Sequence, residues 1–518
     1  MTAEDEAPTT NKWLVAIAAM LATIIEVLDV TIANVALPHM QASFSASVDE
    51  ITWVLTSYLV SNGIVIPVTG WLSTLFGRKR FFIGSTLLFT TFSVLCGLAW
   101  NLQTMVVFRI IQGVGGAAMV PLSQAVLMEV FPPAQQGLAM ALWGMGLMIA
   151  PILGPTIGGW LTDNYDWRWI FYINLPVGLL AAVLQGAFLP PDPQGKRVVK
   201  RIDYLGLALV VVLIGCAQIV LDRGERAEWF AATWVWVFSG LSLTALLVLV
   251  PWELRHPSPV VDLRLFRYPA FASASVIIAF LCFSLYGNLV AWPLYLQTLM
   301  GYPAWRAGLA MSPRGMSTMA SMFLVGMIYG RVDTRWVLGI GTLCVAAGAW
   351  EMSHFTTEYG FWEMVAPTLV LGFGLGFTFV PLSATALAAV PPDRVGNASA
   401  LFNLMRNTGG SVGIAVAGTL IIRRSQLHQA MLVEHVDATS PIAQAAIEAA
   451  GRIRQHAGVD PYTASQQGLG MIYRLVQREA AVLAFQDVFL VLAVVVLLLL
   501  PLILLLGKTR GRATAGGH

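Results

Sequence analysis

The sequence predicts an all-α polytopic membrane protein. Three observations carry this prediction: 57% of the 518 residues are hydrophobic, only 11% are charged, and the mean hydropathy is +0.72. A soluble chain would have about 25% charged residues, and a charge inside the hydrocarbon costs several kcal/mol. Most of the chain is therefore expected to lie in the bilayer.

Apolar runs long enough to cross a membrane predict fourteen transmembrane helices, because each crossing needs about 20 apolar residues. The predicted spans are roughly 13–37, 51–75, 81–99, 102–125, 138–162, 168–189, 204–221, 232–252, 270–298, 307–330, 336–355, 361–390, 395–422 and 483–507. The long run at 270–298 could be split, so the sequence is compatible with twelve to fourteen spans.

Basic residues are distributed unevenly between the loops of the two sides. With the N-terminus inside, the cytoplasmic segments hold seventeen Lys and Arg, with clusters at 78–80, 196–201 and 508–512, and the short outer loops hold four. Cytoplasmic loops are rich in Lys and Arg, so both termini are predicted to be cytoplasmic. The long outer loop 423–480 is rich in Ala, Gln and Glu, which favours one or two amphipathic helices that either dock a partner or cap the fold.

The chain repeats a pattern at an offset of about 259 residues. Residues 113–133 and 372–392 share two glycines, a VPLS tetrapeptide and paired prolines in the same order. The repeat relates spans 4–5 to spans 12–13, an offset of eight spans. It predicts a six-helix half at 1–190, an inserted helix pair with linkers at 191–260, and a second six-helix half at 261–518 that includes the outer loop. Such parallel repeats place the substrate between the halves.

Ionisable residues within the predicted spans indicate a functional site. Glu26 and Asp29 lie three residues apart in span 1 and share one helix face. Two carboxylates so close in a low dielectric resist simultaneous ionisation, as a proton carrier requires. Arg109 in span 4 keeps its proton and needs a counter-charge, which these carboxylates could supply. The alternative is a static structural ion pair.

Other polar and aromatic residues within the spans are candidates for a substrate cavity. Arg314 and Arg406 are the remaining buried cations, and Pro313 could break the helix beside Arg314. The full set of cavity candidates is Gln112, Trp143, Met145, Arg314, Asn403 and Arg406. Trp143 and Met145 could equally face lipid or pack inside the bundle.

Span 5 carries a ridge of small residues at a spacing of four. Gly146, Ala150, Gly154 and Gly158 lie on this ridge, with Pro151 and Pro155 beside it. Small residues at this spacing let two helices approach closely, and the prolines are expected to bend the helix. The ridge is either a contact that slides or hinges, or ordinary tight packing. The matching part of span 13 lacks both prolines and keeps small residues, Gly409, Gly413 and Ala417.

Together, these motifs resemble the major facilitator superfamily, and within it the fourteen-span drug:proton antiporters of the EmrB/QacA type. The resemblance extends over nearly the whole chain, from "LDVTIANVALP" at 28–38 and "GWLSTLFGRKR" at 70–80 to the Arg–Gln–Gly motif of span 4 and the antiporter motif of span 5. The motif positions are Asp29, Gly70, Gly77, Arg78, Lys79, Arg109, Gln112, Gly113, Gly146, Gly154, Pro155, Gly158 and Gly159. Glu26 departs from the family pattern, and Thr74 replaces the usual Asp of the span 2–3 loop.

The resemblance implies the fold of this superfamily, two six-helix halves with an inserted helix pair, in the inner membrane. It implies export of hydrophobic or amphipathic drugs in exchange for protons by alternating access. It also implies a periplasmic adaptor, an EmrA-type membrane fusion protein, and an outer-membrane channel as partners. A proton-coupled uptake symporter is the alternative, and a polytopic membrane enzyme or sensor is a weaker one. The chain has no GxxxxGK[ST] motif, so ATP-driven pumping is not expected; neither is a cofactor, a metal site or a nucleic-acid partner.

Overall fold

The computed structural model describes residues 11–191, 203–434, 436, 441–456, 458 and 460–506. Helices are the only extended regular structure in these residues, apart from one isolated bridge between Tyr329 and Val332. The long helical segments are α1 Lys12–Phe44, α2 Trp53–Phe76, α3 Arg78–Gly97, α4 Leu102–Val130, α5 Gln136–Asn164, α6 Trp169–Phe188, α7 Tyr204–Arg223, α8 Thr233–Arg255, α9 Pro269–Thr298, α10 Ala304–Ile328, α11 Thr334–Met352, α12 Phe361–Ala388, α13 Val395–Val433 and α14 Pro461–Leu497. The prediction of an all-α polytopic protein is confirmed.

Ten of the helices in the described residues are long and apolar enough to cross a membrane by length and composition. The four other long helices, α5, α10, α11 and α13, pack among them in the same bundle. Each segment corresponds to one predicted span, and α9 is a single helix rather than two. Helix α10 runs without interruption through Pro313, so the predicted break beside Arg314 is wrong.

Several helices begin at a polar N-cap residue whose side chain accepts a hydrogen bond from a backbone amide of the first turn. The side chains of Asn101 and Asp203 accept hydrogen bonds from Thr104 N and Gly206 N, both at 2.8 Å. Such N-caps satisfy amides that have no partner within the helix. The α2–α3 connection is a single residue, Gly77, with φ of 87°, a conformation that favours glycine.

We call α1–α6 the first half and α9–α14 the second half. In the first half, α1 packs against α4, α5 and α6, and in the second half, α9 packs against α13 and α14. Helix α5 meets α10 across the boundary, and α13 meets α2 and α4. The inserted pair α7–α8 packs together, and α7 also contacts α2 and α13.

The long loop 423–480 is largely helical. Helix α13 continues to Val433 and α14 begins at Pro461, so the two spans themselves extend into this segment. A separate loop helix, Pro441–His456, lies between them and packs on α14. The basic clusters at 196–201 and 508–512, which support the predicted orientation, lie outside the described residues.

Candidate functional site

Helix α1 is held against α5 by the predicted glycine ridge. A Cβ built at Gly146 would lie 3.0 Å from Met20, and one at Gly158 would lie 3.1 Å from Ile32. A Cβ at Gly154 would overlap the Thr31 side chain. The overlap at Gly154 requires glycine there, and small residues along the ridge let α1 pack tightly within the first half.

Not every residue of the span 5 motif lies on this ridge. A Cβ at Gly159 would meet nothing within 4 Å, so Gly159 faces open space and takes no part in the contact. Helix α5 is continuous from Gln136 to Asn164. The side chains of Pro151 and Pro155 lie outside the described part of the structure, and the predicted bend stays a prediction.

The Asp29 carboxylate is enclosed by partners from the first half. Arg109 Nη1 lies 2.5 Å from Asp29 Oδ2, and Gln112 Nε2 and Asn174 Nδ2 each donate to Oδ1 at 2.9 Å. The side chain of Asp29 is 1% exposed and that of Arg109 is 0% exposed. The predicted pairing of Arg109 with a span 1 carboxylate is thus present in the geometry.

Arg109 is itself fixed by its surroundings in α2 and α4. Its Nε donates to Val54 O at 3.0 Å and its Nη1 to Gln112 Oε1 at 2.8 Å. The guanidinium lies 4.3 Å from the centre of the Tyr58 ring. Gly113 makes room for this arrangement, because a Cβ there would overlap Ser61 and the Tyr58 carbonyl. The Asp29 carboxylate, these hydrogen bonds and the stacked ring together offset much of the cost of burying the charge, while Nη2 has no hydrogen-bond partner among the described residues.

Glu26 lies in a different environment, although it is only three residues before Asp29. Its Oε1 accepts hydrogen bonds from Tyr58 Oη at 3.2 Å and Asn62 Nδ2 at 3.1 Å. Among the charged groups that act on this carboxylate, the strongest is Arg406 of α13. Glu26 is therefore hydrogen-bonded within the first half but electrostatically coupled to the second.

Arg406 is buried at the boundary between the halves. Its guanidinium lies 5.8 Å from the Trp143 ring, and Trp143 is stacked on Phe379 with ring centres 6.0 Å apart. Arg406 Nη1 is buried without a hydrogen-bond partner, and the guanidinium makes no direct ion pair with Glu26 in the described structure. A buried donor without a partner is costly, so this atom marks a position where a further polar group could bind.

A second polar cluster joins the halves directly. Gln124 Oε1 of α4 accepts from Ser399 Oγ at 2.8 Å and from Asn403 Nδ2 at 2.7 Å of α13. All three side chains are fully buried. The structure therefore places Asn403, a predicted cavity residue, in the contact between halves rather than on an open cavity surface. The buried partners leave the amide of Asn403 no exposed face.

The remaining contacts between halves lie toward the end of the bundle where α1 begins, which we call the terminal end. Gly70 approaches Asn397 so closely that a Cβ would lie 2.7 Å from Asn397 Cα, and a Cβ at Gly137 would overlap Tyr329. The part of α2 that packs against α13 is 66–76. The two halves are thus packed together at the terminal end.

The other predicted positions serve within one half. Arg78 forms an ion pair with Glu129 at the end of α4. The Thr74 hydroxyl, which stands where relatives carry Asp, donates to Trp71 O of its own helix at 2.7 Å. Arg314 Nη1 donates to Asn288 Oδ1 at 2.9 Å. No contact between the halves depends on these three polar interactions.

Met145, the last cavity candidate, is half-buried and packs against the main hydrophobic core. Sequence analysis missed five residues that complete the two carboxylate sites and the contact between halves, namely Tyr58, Asn62, Gln124, Asn174 and Ser399. Each is a polar side chain inside an apolar helix. Buried polar groups need partners, so listing all amides and hydroxyls within spans would have found them.

The chain belongs to the major facilitator superfamily, whose family model matches residues 19–414. It is 38% identical to the multidrug export protein EmrB of Haemophilus influenzae over 433 residues, which cover 83% of this chain and 84% of that protein. It is 34% identical to the protein of the same name from Escherichia coli K12, over 97% of both chains.

A solved structure of the superfamily has the same fold. The proton:xylose symporter XylE superposes with a TM-score of 0.61 at 14% identity, over 96% of each chain. This likeness concerns the fold alone. The family membership and the similarity to bacterial export proteins place the chain among membrane transporters of the inner membrane.

Proposed function

We propose that this protein exports hydrophobic or amphipathic drugs and toxic compounds across the inner membrane in exchange for protons, by alternating access. The observation that carries the proposal is that Glu26, a buried carboxylate of the first half, and Arg406, a buried cation of the second, each have no ion pair within the described residues. The resemblance to export proteins named EmrB supports the direction and the substrate class.

The coupling follows from electrostatics across the boundary. A carboxylate in a low dielectric stays ionised only while an opposite charge is near. Because Arg406 moves with the second half and Glu26 with the first, rocking of the halves changes the proton affinity of Glu26. Conversely, a proton on Glu26 removes the attraction that draws the two halves together.

The proposed cycle assigns a state to the present conformation. If both termini are cytoplasmic, the terminal end is the cytoplasmic end of the bundle. Because the halves are packed together there, the present conformation corresponds to the outward-facing state. A proton from outside neutralises Glu26, the contact with the second half weakens, and the inward-facing state becomes accessible. A drug from the cytoplasm or the inner leaflet then competes with the proton, and the halves rock back. In this scheme Asp29 and Arg109 hold α1 and α4 in register.

Drug accumulation in everted membrane vesicles with an acidic interior tests the proposal. An exporter accumulates drug inside these vesicles and collapses the proton gradient, whereas an uptake symporter does neither. We expect Glu26→Gln to abolish gradient-driven accumulation and Asp163→Asn, an exposed carboxylate in α5, to leave it unchanged. Wild-type accumulation that is indifferent to the gradient would refute proton coupling.

A periplasmic adaptor of the membrane-fusion type and an outer-membrane channel are the proposed partners. The candidate dock is the loop helix Pro441–His456 with the start of α14, where Ile453 is 61% and Tyr462 77% exposed. We expect Ile453→Asp to remove adaptor co-purification while leaving vesicle accumulation intact. Undiminished co-purification of this variant and of Tyr462→Asp would exclude this surface as the dock.

A further inference from the structure

A groove of about 450 Å³ opens on the surface of the first half, between the terminal parts of α2 and α3. Its walls are apolar, with Leu72 and Phe76 from α2 and Phe81 and Leu88 from α3, and Val114 of α4 also lines it. Its volume falls in the range of about 300–1,000 Å³ that is usual for small-molecule sites. The groove lies away from Glu26 and Asp29, and the transport scheme makes no use of it.

The absence of a side chain at residue 84 leaves part of this groove open. Gly84 lines it, and a Cβ built at Gly84 would meet nothing within 4 Å. This distinguishes Gly84 from Gly113 of α4 and Gly154 of α5, which permit close contact between helices. The space beside Gly84 is therefore unfilled by the protein.

One cation stands at the rim of the groove. Of three consecutive basic residues, Arg78 pairs with Glu129, and Lys79 Nζ donates to Leu189 O at 2.8 Å. Arg80 lines the groove, is exposed, and has no ion pair or hydrogen bond within the described part of the chain. It is the one charged residue among those lining the groove.

We propose that this groove binds an anionic phospholipid, with an acyl chain along Gly84 and the phosphate on Arg80. Arg80 and Leu88 are about 12 Å apart along a helix that rises about 1.5 Å per residue. One leaflet supplies about 15 Å of a hydrocarbon core of about 30 Å, so an acyl chain entering beside Arg80 matches the groove in length. The guanidinium is the side chain best suited to bidentate phosphate binding.

The test uses the full-length protein in nanodiscs that contain photoactivatable phosphatidylglycerol or phosphatidylcholine, with cross-links mapped by mass spectrometry. We expect phosphatidylglycerol to label 65–88 in preference to phosphatidylcholine. Arg80→Gln should reduce this labelling about fivefold, because a basic residue near an anionic surface contributes about 1 kcal/mol. Gly84→Leu should abolish it, since a Cβ at this position meets nothing within 4 Å and the added side chain would occupy the groove.

Two matched variants control for general effects. Gly186→Leu adds the same side chain at another open glycine, in α6, and Arg255→Gln removes an exposed cation at the end of α8; neither should change labelling of 65–88. Thermal unfolding of each variant checks that it folds, with Gly84→Ala as a smaller substitution. Equal labelling by both lipids, or full labelling in Arg80→Gln, would overturn the proposal, as would displacement of the lipid by an exported drug.

Discussion

Asp29 and Glu26 are neighbours on one face of α1, yet their surroundings differ in one decisive respect. Asp29 is bound by Arg109, Gln112 and Asn174, all from the first half. Glu26 has hydrogen-bond donors in the first half, but its strongest charged neighbour, Arg406, is in the second. A carboxylate whose cation moves with it cannot sense the relative position of the halves, whereas one whose cation lies across the boundary can.

The largest expected effect is a difference in protein stability between variants of the two buried arginines, Arg109 and Arg406. Arg109→Met leaves Asp29 buried without a counter-charge, and breaking a buried pair costs about 3–5 kcal/mol. Arg406→Met should cost less, because Arg406 has no ion pair within the described residues and donates only to its neighbour Asn407. Arg109, in contrast, is paired with Asp29. Thermal unfolding of the purified protein in one detergent measures both. Equal losses would contradict the distinction between a closed pair and an open one.

Helix α1 carries both carboxylates and packs on the glycine ridge of α5. Substitutions on the ridge therefore test whether α1 is held to the first half. Gly154→Ala forces a methyl group against Thr31 and should destabilise the protein by about 1–3 kcal/mol, the usual cost of overpacking. Gly159→Ala, five residues further along α5, enters open space and should be neutral or slightly stabilising. The stabilities of the two variants are compared by measuring their thermal unfolding midpoints. Identical midpoints would mean that the ridge does not hold α1 to α5.

A smaller effect is expected at the polar contact between the halves. Gln124→Leu removes the acceptor shared by Ser399 and Asn403. Because Ser399 Oγ still reaches Pro121 O and Asn403 Nδ2 still reaches Ser399 O, the loss should be about 0.5–1.5 kcal/mol. These bonds exist only while the terminal end is closed, so the population should shift toward opening there. Increased alkylation of a cysteine placed at Ser399 reports the shift, with Thr74→Cys as the exposed reference. Unchanged alkylation at Ser399 would show that these bonds do not hold the halves together.

Much of this arrangement was predictable from residues alone. The helices, the glycine ridge and the proximity of Arg109 to a span 1 carboxylate follow from hydrophobic runs, small-residue spacing and the cost of a buried charge. The choice between Glu26 and Asp29 as Arg109's partner did not follow, because both lie on the same face of α1 and differ only in which helices surround them.

Contacts between distant helices were the hardest part to predict. Asn403 was a cavity candidate as a polar residue within a span, and its partner Gln124 lies 279 positions away in sequence. The pairing of Arg406 with Trp143 likewise depends on how the halves dock, which helical periodicity does not specify. The break at Pro313 was predicted wrongly, since neighbouring helices can support a proline within a span.

The distance between the halves at the terminal end, followed as a function of pH, tests the central claim most directly. Nitroxide labels at the exposed positions Thr74 and Asp393 report this distance by double electron–electron resonance. Ionised Glu26 attracts Arg406, so closure at the terminal end should persist at high pH and be lost as falling pH protonates Glu26. We expect the wild type and Asp163→Asn to open in this way, and Glu26→Gln to be more open and independent of pH. A Glu26→Gln variant that retains the wild-type pH response would contradict the account.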